Sequence, residues 1–214
     1  MIHTPTHDEG VWIAAAFMTT LNTGGAAMTE ARSAIAGFVR DLRIITARTG
    51  DPRVIVAHVS PLVRDLALSK TWLEATHYEC DLDQGFGAHL LHEEPDHMLA
   101  VFAGAWLPGR GAPPHNHGTW AVVAGVDGVE RNTFWTRVDD GARPGYAEIR
   151  KESEQVVGPG EVVTFLPDSI HSVLNETDRV SVSLHVYGRH VNHTHRFRFD
   201  PDQRTLGAFV LKVD

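Results

Sequence analysis

From about Thr76 onward the sequence is a succession of short β-rich runs broken by Gly, Pro, Asn and Asp, with no helix-length period among them. That pattern fits an all-β barrel or sandwich and excludes an α/β fold. It predicts strands over 87–92, 98–106, 120–126, 130–138, 146–151, 161–165, 172–175, 180–187, 196–199 and 208–213. No internal repeat or low-complexity linker interrupts the series.

The N-terminal third reads differently. Ala31, Ile35, Phe38, Val39, Leu42 and Ile45 recur at spacings of three and four, with Thr29 placed to cap, which predicts an amphipathic helix over 28–47. Asp51-Pro52 and Ser60-Pro61 each set a capping side chain before a proline suited to a first helical turn, so two shorter helices are expected, ending near Trp72. Residues 28–75 therefore form a helical cap, whose Leu62, Val63 and Leu66 are packing surface, on a barrel over 76–214. Residues 1–27 are expected to be a loosely attached or docked extension. Their apolar patch over 11–18 follows Asp8 and Glu9 rather than basic residues and is too short to span a bilayer. Met28 is an alternative start.

At 214 residues with 43% apolar content, the chain supports one principal core. A net charge of -8 argues against a nucleic-acid or anionic-membrane partner and for a small soluble substrate. The single cysteine, Cys80, can make no internal disulfide, which suits a reducing cytoplasm. A monomer or homodimer is expected. Fourteen histidines raise the prospect of a metal.

In PPHNHGTWAVVAGVDGVE, His115 and His117 are two apart, and on an extended strand i and i+2 leave the same face. With Gly109 before them and Gly128 closing a hairpin, the stretch is similar to the first motif of cupins, whose barrel holds a metal in its mouth. Gly160, Pro167, His171 and Asn175 in GEVVTFLPDSIHSVLN resemble the second, one residue short from proline to histidine. The resemblance implies a cupin double-stranded β-helix with His115, His117 and His171 as metal ligands. Where the ordinary cupin has a glutamate, four residues after the second histidine, this chain has Ala121. Three neutral imidazoles leave a divalent iron its full charge and open positions, which suits an anionic donor such as a thiolate. Zn, Ni or Mn suit the same imidazoles.

VSVSLHVY, over 180–187, alternates apolar and polar residues and so places Ser183, His185 and Tyr187 on one face. That face either meets water or lines a cavity, with the Tyr187 hydroxyl directed at the metal and His185 fixed by Ser183. With DSIHSVLN and SVSLHVYG, the barrel resembles the type I cysteine dioxygenase family, including its bacterial 3-mercaptopropionate branch. The resemblance implies Fe(II), a thiol substrate and O2, a sulfinate product, and a supporting role for Ser183, His185 and Tyr187. No cysteine stands at Ala121 to crosslink to the tyrosine. His89 occupies the place of the family's carboxylate-binding arginine, which disfavours cysteine as substrate. In the 3-mercaptopropionate branch an arginine nine residues beyond the tyrosine takes that task, and here the count lands on Arg196, which is otherwise a surface charge. His193 and His195 form a second H-x-H expected to be exposed strand. Trp120 walls the cavity or fills core, Cys80 is structural, and Arg131 lies where it could reach the pocket. A non-thiol three-histidine dioxygenase and a non-catalytic metal sensor are the rival readings.

Overall fold

The computed structural model describes residues 9–213. Two helices, α1 (Glu9–Arg48) and α2 (Pro52–Ser69), and a 3-10 turn (Ala75–Tyr78) precede the strands. The first six strands are β1 (Phe86–Glu93), β2 (Met98–Trp106), β3 (Gly111–His115), β4 (Ala121–Asp127), β5 (Glu130–Arg137) and β6 (Ile149–Val157). The remaining five are β7 (Val162–Phe165), β8 (Ile170–Leu174), β9 (Ser181–Arg189), β10 (Phe197–Asp200) and β11 (Thr205–Ala208). They form two antiparallel sheets, ordered β1-β2-β9-β4-β7 and β11-β10-β3-β8-β5-β6. The molecule is thus mainly β, a double-stranded β-helix carrying helices at its N-terminal side, as the sequence predicts.

Strand β9 lies between β2 and β4, so neighbours cover both edges and its alternation sorts side chains between two buried environments. Val182, Leu184 and Val186 face outward into the core shared with the helices, where they meet Leu42, Val59 and Val63. Each such side chain removed from water contributes roughly 1.5–3 kcal/mol. Ser181, Ser183, His185 and Tyr187 face the barrel interior and are buried too. The polar side of this strand therefore lies inside the protein rather than in water.

Several sequence expectations are corrected. Helix α1 starts at Glu9 and runs through Met28, and Thr29 caps nothing: its hydroxyl donates to Gly25 O at 2.8 Å, one turn back. Residues 1–8, and the docking of the side chains over 11–18, lie outside the described residues. Among the described residues a single α-helix follows α1, because α2 continues through Pro61. The Asp51 carboxylate caps it through Arg53 N, as read, but the Ser60 hydroxyl donates to Val56 O at 2.6 Å within the helix instead of starting a new one. The buried row Ile55, Val56, Val59, Val63 and Leu66 holds both halves on the sheet, and that packing outweighs the missing proline N–H.

Strand β3 escaped the sequence reading because Pro113 and Pro114 interrupt it. The ladder slips between Ala112 and His115, a bulge of the kind that accommodates proline in a sheet. Strand β6 extends to Val157 because its charged run, RKESEQ, suits a sheet edge. The last strand is β11, over Thr205–Ala208, rather than 208–213; it closes a hairpin with β10.

Candidate metal centre

The bulge in β3 restores the register so that His115 stands directly opposite His171 on β8. His117 follows in the turn to β4. That turn is held by Gly118, at φ +65°, whose N–H donates to Pro167 O at 3.0 Å, and by the Thr194 hydroxyl donating to His117 O at 2.8 Å. The three imidazoles are buried, and one nitrogen from each lies within 4.8 Å of the others. Among the described residues, no carboxylate joins them. At the position of the ordinary cupin glutamate, Ala121 is fully buried between Tyr187 and Phe165 in the opposite sheet.

The hydrogen bonds fix what these rings offer. His115 Nδ1 donates to Pro113 O at 2.8 Å, and His171 Nδ1 donates to Asn132 Oδ1 at 2.9 Å, because neither oxygen has a proton to give. Both Nε2 atoms then carry lone pairs. His171 Nε2 faces His117 Nε2 at 3.2 Å. Two nitrogens bound at right angles to one ion, each at about 2.1 Å, are about 3.0 Å apart. His117 Nδ1 is buried without a partner. Burial, reinforced by the neighbouring cationic groups, lowers all three imidazole pKa values, that of His115 to about 3. Neutral rings with inward lone pairs are the state a metal requires, so the residues present fit a divalent ion.

The facing sheet supplies the polar row. Ser183 Oγ is 2.8 Å from His185 Nε2, and His185 Nδ1 is 2.9 Å from the Tyr187 hydroxyl. The Trp106 indole donates to Ser183 Oγ at 3.3 Å. Tyr187 rests edge-on against the His117 ring, with centroids 5.2 Å apart. Burial raises its pKa to about 12, so it remains a phenol, and burial lowers that of His185 to about 4, so it remains neutral. Opposite on β2, Gly104 makes room for the imidazole: a Cβ there would stand 2.8 Å from His185 Nε2. Gly104→Ala is therefore expected to displace the ring and cost about 1–3 kcal/mol, read as a lower urea midpoint.

The three clustered histidines, His185, Tyr187 and Arg196 line one cavity whose other walls are mostly apolar, among them Phe102, Trp106 and Phe209. Arg196 is 4% exposed, so it is not a surface charge. Its guanidinium stacks on Phe209 at 4.5 Å, while Nε and Nη1 have no hydrogen-bond partner. Burial lowers its pKa to about 10, which leaves it charged near neutral pH.

His89 does not belong here. On β1 it pairs with Ala103, which faces the helices, and its ring bonds Glu79 O at 2.9 Å; Ala88, one position earlier, lines the cavity. Strand alternation sets that outcome. Trp120 lies in the core beneath the helices, and Arg131 pairs outside with Glu176 and Glu154. The second H-x-H divides: His193 ends a 3-10 turn, stacks on His97 and groups with Glu93, while His195 stands apart from that cluster. Sequence reasoning missed Asn132, Gly104 and the buried Glu130. The alternation of Glu130 and Asn132 on β5 was the available signal.

Fold and site together define a double-stranded β-helix barrel with a buried cluster of three histidines placed to hold a metal ion. No family model matches the chain. Among solved structures, it is similar to an oxalate oxidase in complex with the substrate analogue glycolate, at 17% identity and TM-score 0.40 over 50% of this chain and 52% of that one. The chain thus spans about half the length of that protein. It is also similar to an uncharacterized conserved protein with a double-stranded beta-helix domain from Klebsiella pneumoniae, at 11% identity and TM-score 0.42, covering 58% of this chain and 87% of that one. KdgF from Halomonas sp. gives 14% identity and TM-score 0.38, covering 51% and 84%. Among the described residues, no helix is long and apolar enough to cross a membrane.

Proposed function

We propose that the protein is an Fe(II)-dependent dioxygenase that converts a small carboxylate-bearing thiol to its sulfinate. The observation that carries this reading is the pairing of an all-imidazole centre with the buried guanidinium of Arg196, whose Nε and Nη1 have no hydrogen-bond partner, in one cavity. A buried charge without a counter-ion is costly, and a substrate carboxylate relieves that cost. Iron held by His115, His117 and His171 would supply the site where thiolate sulfur and dioxygen react, since three neutral ligands leave both charge and vacant positions. The overall change balances as RS⁻ plus O2 giving RSO2⁻, the sulfur losing the four electrons that dioxygen gains.

The remaining chemistry belongs to the chain. Arg196 binds the carboxylate through its planar fork, and its stacking on Phe209 holds the fork in place. The apolar walls keep water from the reacting sulfur. Tyr187 presents its hydroxyl to the same space, with His185 and Ser183 setting its direction. Tyr187→Phe should therefore keep a full complement of iron yet slow oxidation by about 100-fold. Metal analysis beside oxygen-uptake rates checks this, and wild-type turnover would reduce the row to a structural part.

The deciding assay is oxygen consumption by the iron-loaded protein across 3-mercaptopropionate, mercaptosuccinate, cysteine and cysteamine, with product masses. A sulfinate from the first two supports the reading. Oxygen uptake on diketones or aromatic diols but not on thiols, or bound metal with no turnover on any substrate, sinks it.

A further inference from the structure

A second group of metal-ligating side chains stands where the β1–β2 hairpin meets the 3-10 turn that follows β9 (Val191–His193). Pairing of β2 with β9 sets Met98 opposite Arg189, and His190 N donates to His97 O at 2.8 Å, so the two turns are fastened to each other through the backbone. Glu93 ends β1, His97 closes the turn into β2, and His193 ends the 3-10 turn. One ligand atom from each of these three residues lies within 4.8 Å of the other two. None of the three lines the cavity that contains His115, His117 and His171.

The contacts have more in them than an acid–base pair needs. Glu93 Oε1 is 2.7 Å from His97 Nδ1, which alone would be a surface pair of small worth. His193 then lays its ring flat on that of His97, with centroids 3.5 Å apart and planes within 9° of parallel. Two nitrogens bound tetrahedrally to one zinc ion, each at about 2.1 Å, are about 3.4 Å apart, so the stacked rings already stand at the separation of two ligands. His97 keeps its place at φ +63°, which is uncommon for a residue other than glycine. His190, buried, stands edge-on to His193 at 5.2 Å. Its Nδ1 accepts the Asn192 N–H at 3.2 Å, so its proton is on Nε2 and it walls the group without being a ligand.

We propose that Glu93, His97 and His193 form a second metal site, on the outer surface, that takes a zinc-type divalent ion with water completing its shell. Two imidazoles and one carboxylate are a donor set that zinc accepts, and the carboxylate offsets part of its charge. The His97 and Glu93 side chains are 44% and 22% exposed and His193 is exposed, so an ion can enter from solvent. Bound there, it would tie the hairpin to residues 191–194, where Val191 lines the cavity and the Thr194 hydroxyl donates to His117 O. Occupancy of the outer site would therefore stiffen one wall of the inner one. None of this rests on the oxidation proposed above.

The test is zinc binding, by equilibrium dialysis and elemental analysis, in the wild type, His193→Ala, His97→Asn and His117→Ala. His193 is exposed and asparagine tolerates the left-handed backbone at position 97, so both outer variants should fold. Each should lose one equivalent of zinc, its affinity for the outer ion falling about 100-fold, while His117→Ala should keep that equivalent. In His117→Ala, zinc should also slow amide hydrogen exchange over residues 191–194. An outer variant that binds as much zinc as the wild type overturns the proposal. So does a His117→Ala protein that binds none, or one whose bound zinc leaves exchange over 191–194 unchanged. If His117→Ala retains all the wild-type zinc while each outer variant loses one equivalent, the inner centre fails and the outer site stands.

Discussion

His117→Ala is expected to abolish stoichiometric metal binding and, with it, all oxidation. His117 is the least replaceable of the three ligands because its Nε2 faces His171 Nε2 at 3.2 Å and its Nδ1 has no other partner. Its ring serves no hydrogen bond within the protein beyond that contact, so the metal is the partner that justifies its burial. The fold should tolerate the change, because the turn carrying His117 is fixed through the backbone by Pro167 and Thr194. Elemental analysis after reconstitution checks the loss. A thermal scan gives a second reading: wild-type protein should gain about 3 kcal/mol at a metal concentration 100 times the Kd, and the variant nothing. Retention of one equivalent of metal by the variant would remove His117 from the centre.

Much of this centre was legible in the sequence, for a physical reason. Spacing on a strand transmits directly into the direction of a side chain, so S-x-H-x-Y named three residues that share one face of β9, whereas H-x-H named a pair that the structure joins through the turn after β3, where His117 lies. Strand phase answered less well when the starting strand was placed by counting. His89 was assigned by distance from the histidine pair, and one step of alternation turns it under the helices while Ala88 takes the cavity wall. The helical boundaries were misread where local signals competed with packing. Ser60-Pro61 looks like a helix start, yet the apolar row from Ile55 to Leu66 holds one helix through it. Glu130 and Asn132 alternate on β5, yet they were passed over because a carboxylate on a strand is ordinarily solvated. Only the closure of β5 against β8, with the barrel interior beneath, shows that both are inside.

Arg196→Met should raise KM for a carboxylate thiol by roughly 100-fold, corresponding to about 3 kcal/mol, the scale of a buried charge-assisted pair that loses one partner. The same substitution should leave cysteamine oxidation nearly unchanged or improved, because an amine gains nothing from a guanidinium beside it. Arg196→Lys separates charge from shape: it retains the positive charge but loses the planar fork and the stacking on Phe209, so it should recover only part of the affinity. Folding is a manageable risk, since the guanidinium nitrogens Nε and Nη1 make no internal hydrogen bond for the variant to lose. Removing an uncompensated buried charge should even stabilise the protein, visible as a higher urea midpoint for Arg196→Met. Equal losses on carboxylate and amine thiols would show instead that Arg196 supports the shape of the cavity, and the carboxylate would drop out of the substrate definition.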